Sequence, residues 1–596
     1  MSAPVARAEA DARVVWMSGL GLALGLIAAV IAKVLMALIA LVTNLAFYGQ
    51  VSTEAVGPAN NHLGWLVVIV PVVGGLAVGL MARFGSAAIR GHGIPEAMEK
   101  VLFDESRIPV RLTFLKPLSA AISIGTGGPF GAEGPIIATG GALGSFFGQV
   151  VRVSAQERKT LLAAGAAAGM SATFASPVSA VLLAIELLLF EYRLRSMVPV
   201  ALASAAACGA RIALVGSAPA FSMPHVAAPG GGALAVYIGM GVIVGLASML
   251  VTRLVYGIED AFEKLPLHWM WWPALGGVAV GVVGYFSPHT MGVGYDNIDR
   301  ILQGDLAGTA VVVFCVAKLV SWSISLGTGT SGGTLAPLFT IGGGLGSAIG
   351  AAAAWALPNA GIDIRVAALV GMAALFAGAS RALLASVVFA FETTRQPMSL
   401  LPLLGGCTAA YLVSAMTMRH SIMTEKIARR GARVVSEYTA DFLDQVVVAE
   451  VASAPVVLLR AEDTVEKVRG WMQRPATDSA HQGFPVVDED DRIVGVVTRR
   501  DLLEGAAEGN VRGRVKRPPA VVFDDSSLRE AADHMARERV GRLPVVSRDD
   551  PARVIGMLTR ADIIESHVRR LQDERVAEAT VGTRLRKRLS ERPPTG

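Results

Sequence analysis

Long apolar runs separated by short polar breaks fill the chain from its N-terminus to about residue 420, and beyond that point it is charged throughout. The runs at 17–48, 63–82, 233–255, 309–326 and 366–391 can cross or nearly cross a bilayer, which takes roughly 20 apolar residues. The first run is too long, and wrongly flanked, for a cleaved signal peptide, so it reads as a retained helix. From 449 to 568 the pattern shortens: β-branched strands alternate with amphipathic helices such as 463–474 and 526–538. The pattern predicts an all-α polytopic membrane domain followed by a soluble α/β part.

The membrane half is internally duplicated. Gly125-Thr-Gly-Gly-Pro-Phe-Gly-Ala-Glu133-Gly-Pro135 reappears as Gly327-Thr-Gly-Thr-Ser-Gly-Gly-Thr-Leu335-Ala-Pro337, 202 residues later. Lys116/Lys318, Gly140/Gly342, Leu143/Leu345, Gly144/Gly346, Ser145/Ser347 and Gly148/Gly350 keep that offset, and Gly165/Gly371 and Glu186/Glu392 follow at 206. So many pairs in register make a repeat, with halves at about 15–200 and 233–425.

Paired Gly/Pro-interrupted apolar segments in two halves point to a transport site. Lipid cannot satisfy free backbone groups, so a broken helix survives only around a polar cavity. A helix that starts there aims its N–H groups and positive dipole end into the cavity. Two such starts hold an anion without a full positive charge, which lets the anion leave again. Close helix packing accounts for Gly140, Gly144 and Gly148 at spacing four. It does not account for Glu133 or Pro135. A carboxylate at membrane depth is costly and marks function.

Gly91-His92-Gly93-Ile94-Pro95, Gly131-Ala132-Glu133-Gly134-Pro135 and Gly333-Thr334-Leu335-Ala336-Pro337 resemble, in order, the three signature loops of the CLC chloride channels and chloride/proton antiporters. The resemblance covers about 15–430. It implies a homodimer in the lipid bilayer, each subunit with its own pore built from two inverted repeats. It implies anion contacts at residues 91–95, at Gly131, Ala132 and Gly134, and at residues 333–336. Glu133 matches the external gating glutamate: a carboxylate can occupy the anion path until a proton or chloride displaces it. A charge moving through the whole field is worth about 2.3 kcal/mol per 100 mV, so voltage would bias such a gate.

Three positions depart from the family pattern. His92 stands where Ser is usual; it either donates N–H to the anion, with a place on a proton route, or turns to the cytosolic vestibule. Met423, in Ser421-Ile-Met-Thr-Glu-Lys426, replaces a Tyr that offers a hydroxyl to the central anion; a thioether cannot donate, and Met423 would line an apolar constriction. Leu187 replaces the intracellular acid of many proton-coupled members. Glu191 is either a displaced proton acceptor or, the favoured reading, a helix end paired with Arg193 or Arg195. The missing acid favours a passive channel; proton-coupled chloride antiport is the alternative and fluoride export stands behind both. Glu186 and Glu392 read as structural acids satisfied by backbone N–H groups or by cations, with Lys116, Lys318 and Arg381 as candidates; the two lysines alternatively raise the potential along the anion path.

A second duplication fills the soluble part. Phe484-Pro-Val-Val487 leads to Thr498-Arg-Arg-Asp501, and Leu543-Pro-Val-Val546 to Thr559-Arg-Ala-Asp562. This resembles a pair of CBS domains, at 449–505 and 515–570, joined by a linker at 506–518. The resemblance implies an adenine nucleotide at Thr498, Asp501, Thr559 and Asp562; the same residues read equally as helix N-caps. Residues 1–14 form an N-terminal cytoplasmic segment and 571–596 a disordered basic tail.

Charge fits this organisation. The net charge is +5, and Arg419, Lys426, Arg429, Arg430 and Arg433 follow the last apolar run, which places the C-terminal part in the cytoplasm and suggests topology, not nucleic acid. The Ala/Gly/Arg-rich composition suggests a bacterial inner membrane. The 3 cysteines, Cys208, Cys315 and Cys407, lie in apolar runs with no metal-ligand spacing. An enzyme is not expected: none of the 9 histidines is followed by Glu, and no Gly-Lys dipeptide supplies a phosphate loop. A cation carrier would need oxygen-ligand rings, whereas the membrane half shows few acids at candidate pore positions. No cofactor is required by any of these readings.

Overall fold

The computed structural model describes residues 7–151, 153–431, 443, 446–473 and 481–568. The first six residues, Arg433 and the basic tail at 571–596 lie outside the described residues. The chain divides into a helical unit, Asp11–Tyr438, and a second unit that takes in Thr439–Gly596.

The helical unit runs through two matching series. The first is α1 (Arg7–Thr43), α2 (Ile69–Phe84), α3 (Ile94–Phe103), α4 (Leu112–Gly125), α5 (Glu133–Val150), α6 (Ala155–Phe174), α7 (Pro177–Ala184) and α8 (Leu194–Val215). The second is α9 (Gly231–Glu263), α10 (Trp272–Phe286), α11 (Tyr295–Gln303), α12 (Gly308–Gly327), α13 (Leu335–Ala356), α14 (Ile364–Ser380), α15 (Leu383–Thr394) and α16 (Leu400–Thr417), with the short α17 (Glu425–Arg429) after it. Among the described residues 8 helices are long and apolar enough to cross a membrane, while α4, α7, α14 and α15 are shorter apolar helices. The apolar run predicted at 366–391 is thus two helices, broken at Arg381, whose φ is +62°.

The two series meet through reciprocal contacts. Gly75 of α2 lies against the carbonyl of Pro273, where an added Cβ would sit 2.3 Å from the oxygen; Gly277 of α10 lies likewise on the Pro71 carbonyl, at 2.5 Å. Within each series a glycine pair clamps two buried helices. A Cβ on Gly140 would meet the Gly165 carbonyl at 2.1 Å, and one on Gly342 would meet that of Gly371 at 2.5 Å. These are backbone-to-backbone approaches, which only the absence of a side chain permits.

Glu186 and Glu392 complete the exchange. The Glu392 carboxylate accepts from the N–H groups of Val178 (2.9 Å) and Ser179 (2.8 Å), in the first turn of α7. Glu186 accepts from Leu384 and Ala385 (3.0 Å each), in the first turn of α15. Free N–H groups and a positive helix end need an acceptor, and each series supplies the acid that starts a helix of the other. The backbone alternative therefore holds. Lys116 and Lys318 donate instead to carbonyls, Ile89 (2.7 Å) and Gly91 (2.8 Å) for the first, Thr290 (2.9 Å) for the second. Arg381 donates to the carbonyls of Ser414, Met418 and Arg419, closing the C-terminal end of α16.

The second unit holds two equivalent sheets. In one, β1 (Leu459–Arg460) runs parallel to β2 (Gly483–Val487), which pairs antiparallel with β3 (Ile493–Thr498). In the other, β4 (Val522–Phe523), β5 (Arg542–Val546) and β6 (Val554–Thr559) repeat that order. Two helices pack on them, α18 (Val465–Met472) and α20 (Leu528–Glu538), with the short α19 (Arg499–Leu503) following β3. The predicted linker at 506–518 is not a free connection. Val511 is buried in the first core, with its N–H on the Asp463 carbonyl. Val448, one residue before the first predicted CBS domain, packs in the second core, and its N–H reaches the Ser526 carbonyl.

Replacing Glu186 or Glu392 by Gln is expected to destabilise the membrane unit by about 1.5–3 kcal/mol each, the range for hydrogen bonds to charged groups. Thermal unfolding of the detergent-solubilised protein reads this as a lowered midpoint for each variant. Gly140→Val, which drives a side chain into a backbone carbonyl, is expected to lower the midpoint by a comparable amount. Gly239→Ala, where an added Cβ meets nothing within 4 Å, should leave it unchanged.

Candidate functional site

The two duplicated loops meet through their backbones. Gly333 N–H donates to the Gly131 carbonyl at 2.9 Å, and Gly131 N–H returns to the Gly333 carbonyl at 3.4 Å. The helices α5 and α13 begin at Glu133 and Leu335, immediately after this pairing, so both point N-terminal turns at it. A third start joins them. Gly93, at φ +94°, passes so close to α5 that an added Cβ would lie 2.4 Å from the Gly134 carbonyl, and one on Gly134 would lie 2.0 Å from that of His92. Ile94 and Pro95 then open α3 and are buried. The structure thus brings together residues 91–95, 131–134 and 333–336. Ala132, Leu335 and Ala336 are buried, and Thr334 buries a hydroxyl that has no hydrogen-bond partner.

Glu133 is fully buried at this crossing. Its Oε1 accepts from the Tyr295 hydroxyl at 2.9 Å. Its Oε2 has no hydrogen-bond partner and lies over the crossing, where a Cβ on Gly131 would be 1.7 Å from it and one on Gly333 2.9 Å. The carboxylate therefore fills the space that two glycines leave open. Tyr295 is the first residue of α11 and was not singled out from the sequence. A signal was present: Gly292-Val-Gly294-Tyr295 repeats Gly91-His-Gly93-Ile94 at an offset of 201. Both loops are backed by a buried lysine, Lys116 behind Gly91 and Lys318 behind Thr290.

Glu96, also missed, ties two loops together. It accepts from Gly93 N–H at 2.7 Å and from Lys426 at 2.7 Å, so the loop before α3 is joined to the Ser421–Lys426 run. Within that run Met423 is fully buried in the apolar core, and its backbone N–H bonds to the Ser421 hydroxyl at 3.3 Å. The nearby phenol, Tyr256, donates to the Ile422 carbonyl at 2.8 Å. His92 is buried with Nδ1 unpartnered. It lines a cavity of about 500 Å³ with Gly91, Glu96, Tyr256 and Lys426. Glu99, Glu259 and Glu263 also line it, so the expected scarcity of acids does not extend to this vestibule. The basic cluster after the last apolar run is likewise not free: Arg429 pairs with Asp260 and Glu425, and Arg430 with Glu99.

Glu191 is not paired with Arg193 or Arg195 as expected. It accepts from Gln156 (2.7 Å) and Ser196 (2.6 Å) and lies 3.9 Å from Lys159, because the start of α6 folds against this turn.

In the second unit, Thr498 and Asp501 form a capping box at the start of α19, and Lys516 pairs with Asp501 at 2.6 Å. Although partial burial opposes it, Lys516 and the Thr498 hydroxyl hold the Asp501 carboxyl down at about 2. Thr559 and Asp562 are joined in the same way. A cleft of about 540 Å³ runs between the two repeats, lined by Pro455, His481, Gln482, Arg542, Thr559 and Arg560. Of the four predicted nucleotide contacts it includes Thr559.

Residues 73–415 match the family of voltage gated chloride channels, and residues 448–508 and 511–568 match the CBS domain. The chain is similar to the chloride channel protein CLC-f of Arabidopsis thaliana, at 27% identity over 83% of this chain and 73% of that one. It is also similar to a putative chloride channel protein, ClcB-like, of Ralstonia nicotianae, at 28% over 61% and 86%. The H(+)/Cl(-) exchange transporter ClcA of Salmonella agona matches at 30% over 61% and 78%. Among solved structures, a slow cyanobacterial Cl-/H+ antiporter shares the fold with a TM-score of 0.63, at 22% identity over 70% of this chain and 97% of that one. A eukaryotic CLC transporter shares it at 0.59, with 20% identity over 92% and 97%. With the duplicated helices, the glycine crossing and the paired three-stranded sheets, these matches make the chain a member of the CLC family, a membrane-spanning domain followed by a CBS pair.

Proposed function

We propose that the protein passes chloride across a membrane through the crossing of α3, α5 and α13, with Glu133 as the gate. One observation carries the reading: a fully buried carboxylate, held on one side by Tyr295, lies over the paired Gly131 and Gly333, in the space their missing side chains leave, with its second oxygen unpartnered. An anion binding there must displace that carboxylate, since two negative charges do not share one small site. Protonation neutralises the side chain and frees it to leave. The helix starts supply N–H groups for the anion at each stage. A moving carboxylate also senses the membrane field, which makes the gate voltage-dependent.

Passive conduction is the favoured form. Leu187 is buried and apolar where a proton acceptor would be needed, and Glu191 is committed to Gln156 and Ser196. Coupled exchange with protons is the second reading. It is supported by His92, which carries an unpartnered buried nitrogen in the vestibule, and by the exchange transporters among the relatives. Chloride, not fluoride, is the proposed ion. The proposal includes a homodimer in a bacterial inner membrane, with an adenine nucleotide in the cleft of the CBS pair as a regulator.

The reversal potential of the purified protein in a bilayer separates the two forms. Passive conduction keeps it at the chloride equilibrium value whatever the pH gradient, whereas coupled exchange moves it with that gradient. Glu133→Gln, which mimics the protonated gate, is expected to hold the path open and to remove its dependence on pH and voltage. Tyr295→Phe removes one bond to the gate carboxylate. It is expected to raise the open fraction in single-channel or flux records by up to roughly tenfold while keeping the pH dependence.

A further inference from the structure

Arg90 precedes the first signature loop and lines the vestibule. Its guanidinium carbon lies 4.9 Å from the ring centre of Trp269 and 5.5 Å from that of Trp272. The Trp272 ring is anchored by its own N–H on the Leu267 carbonyl at 3.1 Å. The guanidinium also rests on the second duplicated loop: Gly329 stands at φ +74°, and a Cβ there would be 2.5 Å from Arg90 Nη2. Two residues further on, Ser331 bridges to Gly91. Arg90 thus sits between the two loops that lead to the crossing.

The donors of this cation are unspent. Nε is buried without a hydrogen-bond partner, and among the described residues no side-chain hydrogen bond or ion pair involves the Arg90 guanidinium, whose backbone N–H donates to the Ala87 carbonyl at 3.2 Å. The other cations of the cavity are committed, Lys100 to Asp104, Lys426 to Glu96, Arg429 to Asp260 and Arg430 to Glu99. Glu259 and Glu263 face the same cavity, and neither closes to within an ion pair of Arg90. Indole stacking occupies the faces of a guanidinium and leaves its N–H edge open. An open N–H edge in a part-buried cavity is a receptor for an anion.

We propose that Arg90, lying over the rings of Trp269 and Trp272, is a capture site for a small monovalent anion on the cytosolic side of the crossing, and that chloride occupies it before entering the loops. The inference rests on the chloride-transport reading and locates the first cytosolic step. A guanidinium held against indole rings and in no ion pair with a carboxylate keeps its N–H groups for an anion. The offsetting field of Glu259 and Glu263 keeps that binding weak enough for release.

The test uses the full-length protein in planar bilayers, with chloride varied on one side at a time. Arg90→Gln is expected to raise the half-saturating chloride on the side carrying residues 419–431 roughly fivefold, and to leave the opposite side unchanged. Arg90→Lys, which keeps the charge, should raise it less. Trp269→Leu should act in the same direction as Arg90→Gln, and it serves in its place where that variant does not fold. An unchanged cytosolic half-saturation, or an equal shift on both sides, overturns the proposal. A second measurement does not depend on transport: iodide should quench tryptophan fluorescence in the wild type with a saturable component that Arg90→Gln abolishes. Saturable quenching in a protein that carries no chloride supports the site and sinks the transport reading. Quenching that is linear in the wild type overturns the site.

Discussion

The pairing of Gly131 with Gly333 is the constraint on which the membrane unit is built. The two segments are hydrogen-bonded at 2.9 Å, and neither has room for a side chain: an added Cβ on Gly333 would lie 2.6 Å from the Gly131 carbonyl oxygen and one on Gly131 1.7 Å from Glu133 Oε2. Both α5 and α13 begin directly after this pairing. Helix starts facing each other inside apolar surroundings would be unstable if their N–H groups met nothing. The carboxylate of Glu133 lies over the pairing at the positive ends of both helices, and that field, with the Tyr295 hydroxyl on Oε1, makes a costly charge tolerable at this depth. The remainder of the unit holds the crossing in register. Lysines brace the loops from behind, Glu96 and Lys426 bind a third loop to it, and the glycine seams of α5 with α6 and of α13 with α14 leave the starts no freedom to drift.

Much of this was legible in the chain. The offset of 202 identified the paired loops and the paired lysines, and the glycine–proline punctuation placed the breaks where α5 and α13 begin. Glu186 and Glu392 were readable as structural acids, because a carboxylate carried at the same place in both repeats, at the end of an apolar helix, needs donors. Their partners were not readable, since a repeat offset says which residues are equivalent and not which ones touch. Lys116 and Lys318 show the same limit: their equivalence was evident, their carbonyl acceptors were not. Tyr295 escaped notice because its loop lacks the proline of the first copy and carries Tyr where that copy has Ile. Glu191 was assigned the nearest cations in sequence, whereas the fold brings it Gln156 and Lys159 from a helix more than thirty residues earlier.

The vestibule and the second unit departed further from expectation for a common reason. Charged residues at the ends of apolar helices look like a solvated belt in sequence, and only the tertiary arrangement pairs them. Arg429, Arg430 and Lys426 read as a topology signal; in the structure they are also the ties between α17 and helices α3 and α9. In the CBS pair, the Thr and Asp residues fulfil the helix-capping reading through bonds to each other, so any ligand there meets side chains that are already engaged. The apparent linker is held because Val511 is apolar and finds a vacancy in the first core.

The crossed capping by Glu186 and Glu392 has a consequence for how such a molecule comes to exist. Each half carries the acid that lets a helix of the other half start, and lacks the one that would start its own. A half-length chain would therefore leave α7 or α15 with bare N–H groups in lipid. During synthesis the first half stays incomplete until the second has emerged, so insertion and folding end together. The two halves are thus mutually dependent: loss of either acid leaves a helix of the opposite half without its acceptor.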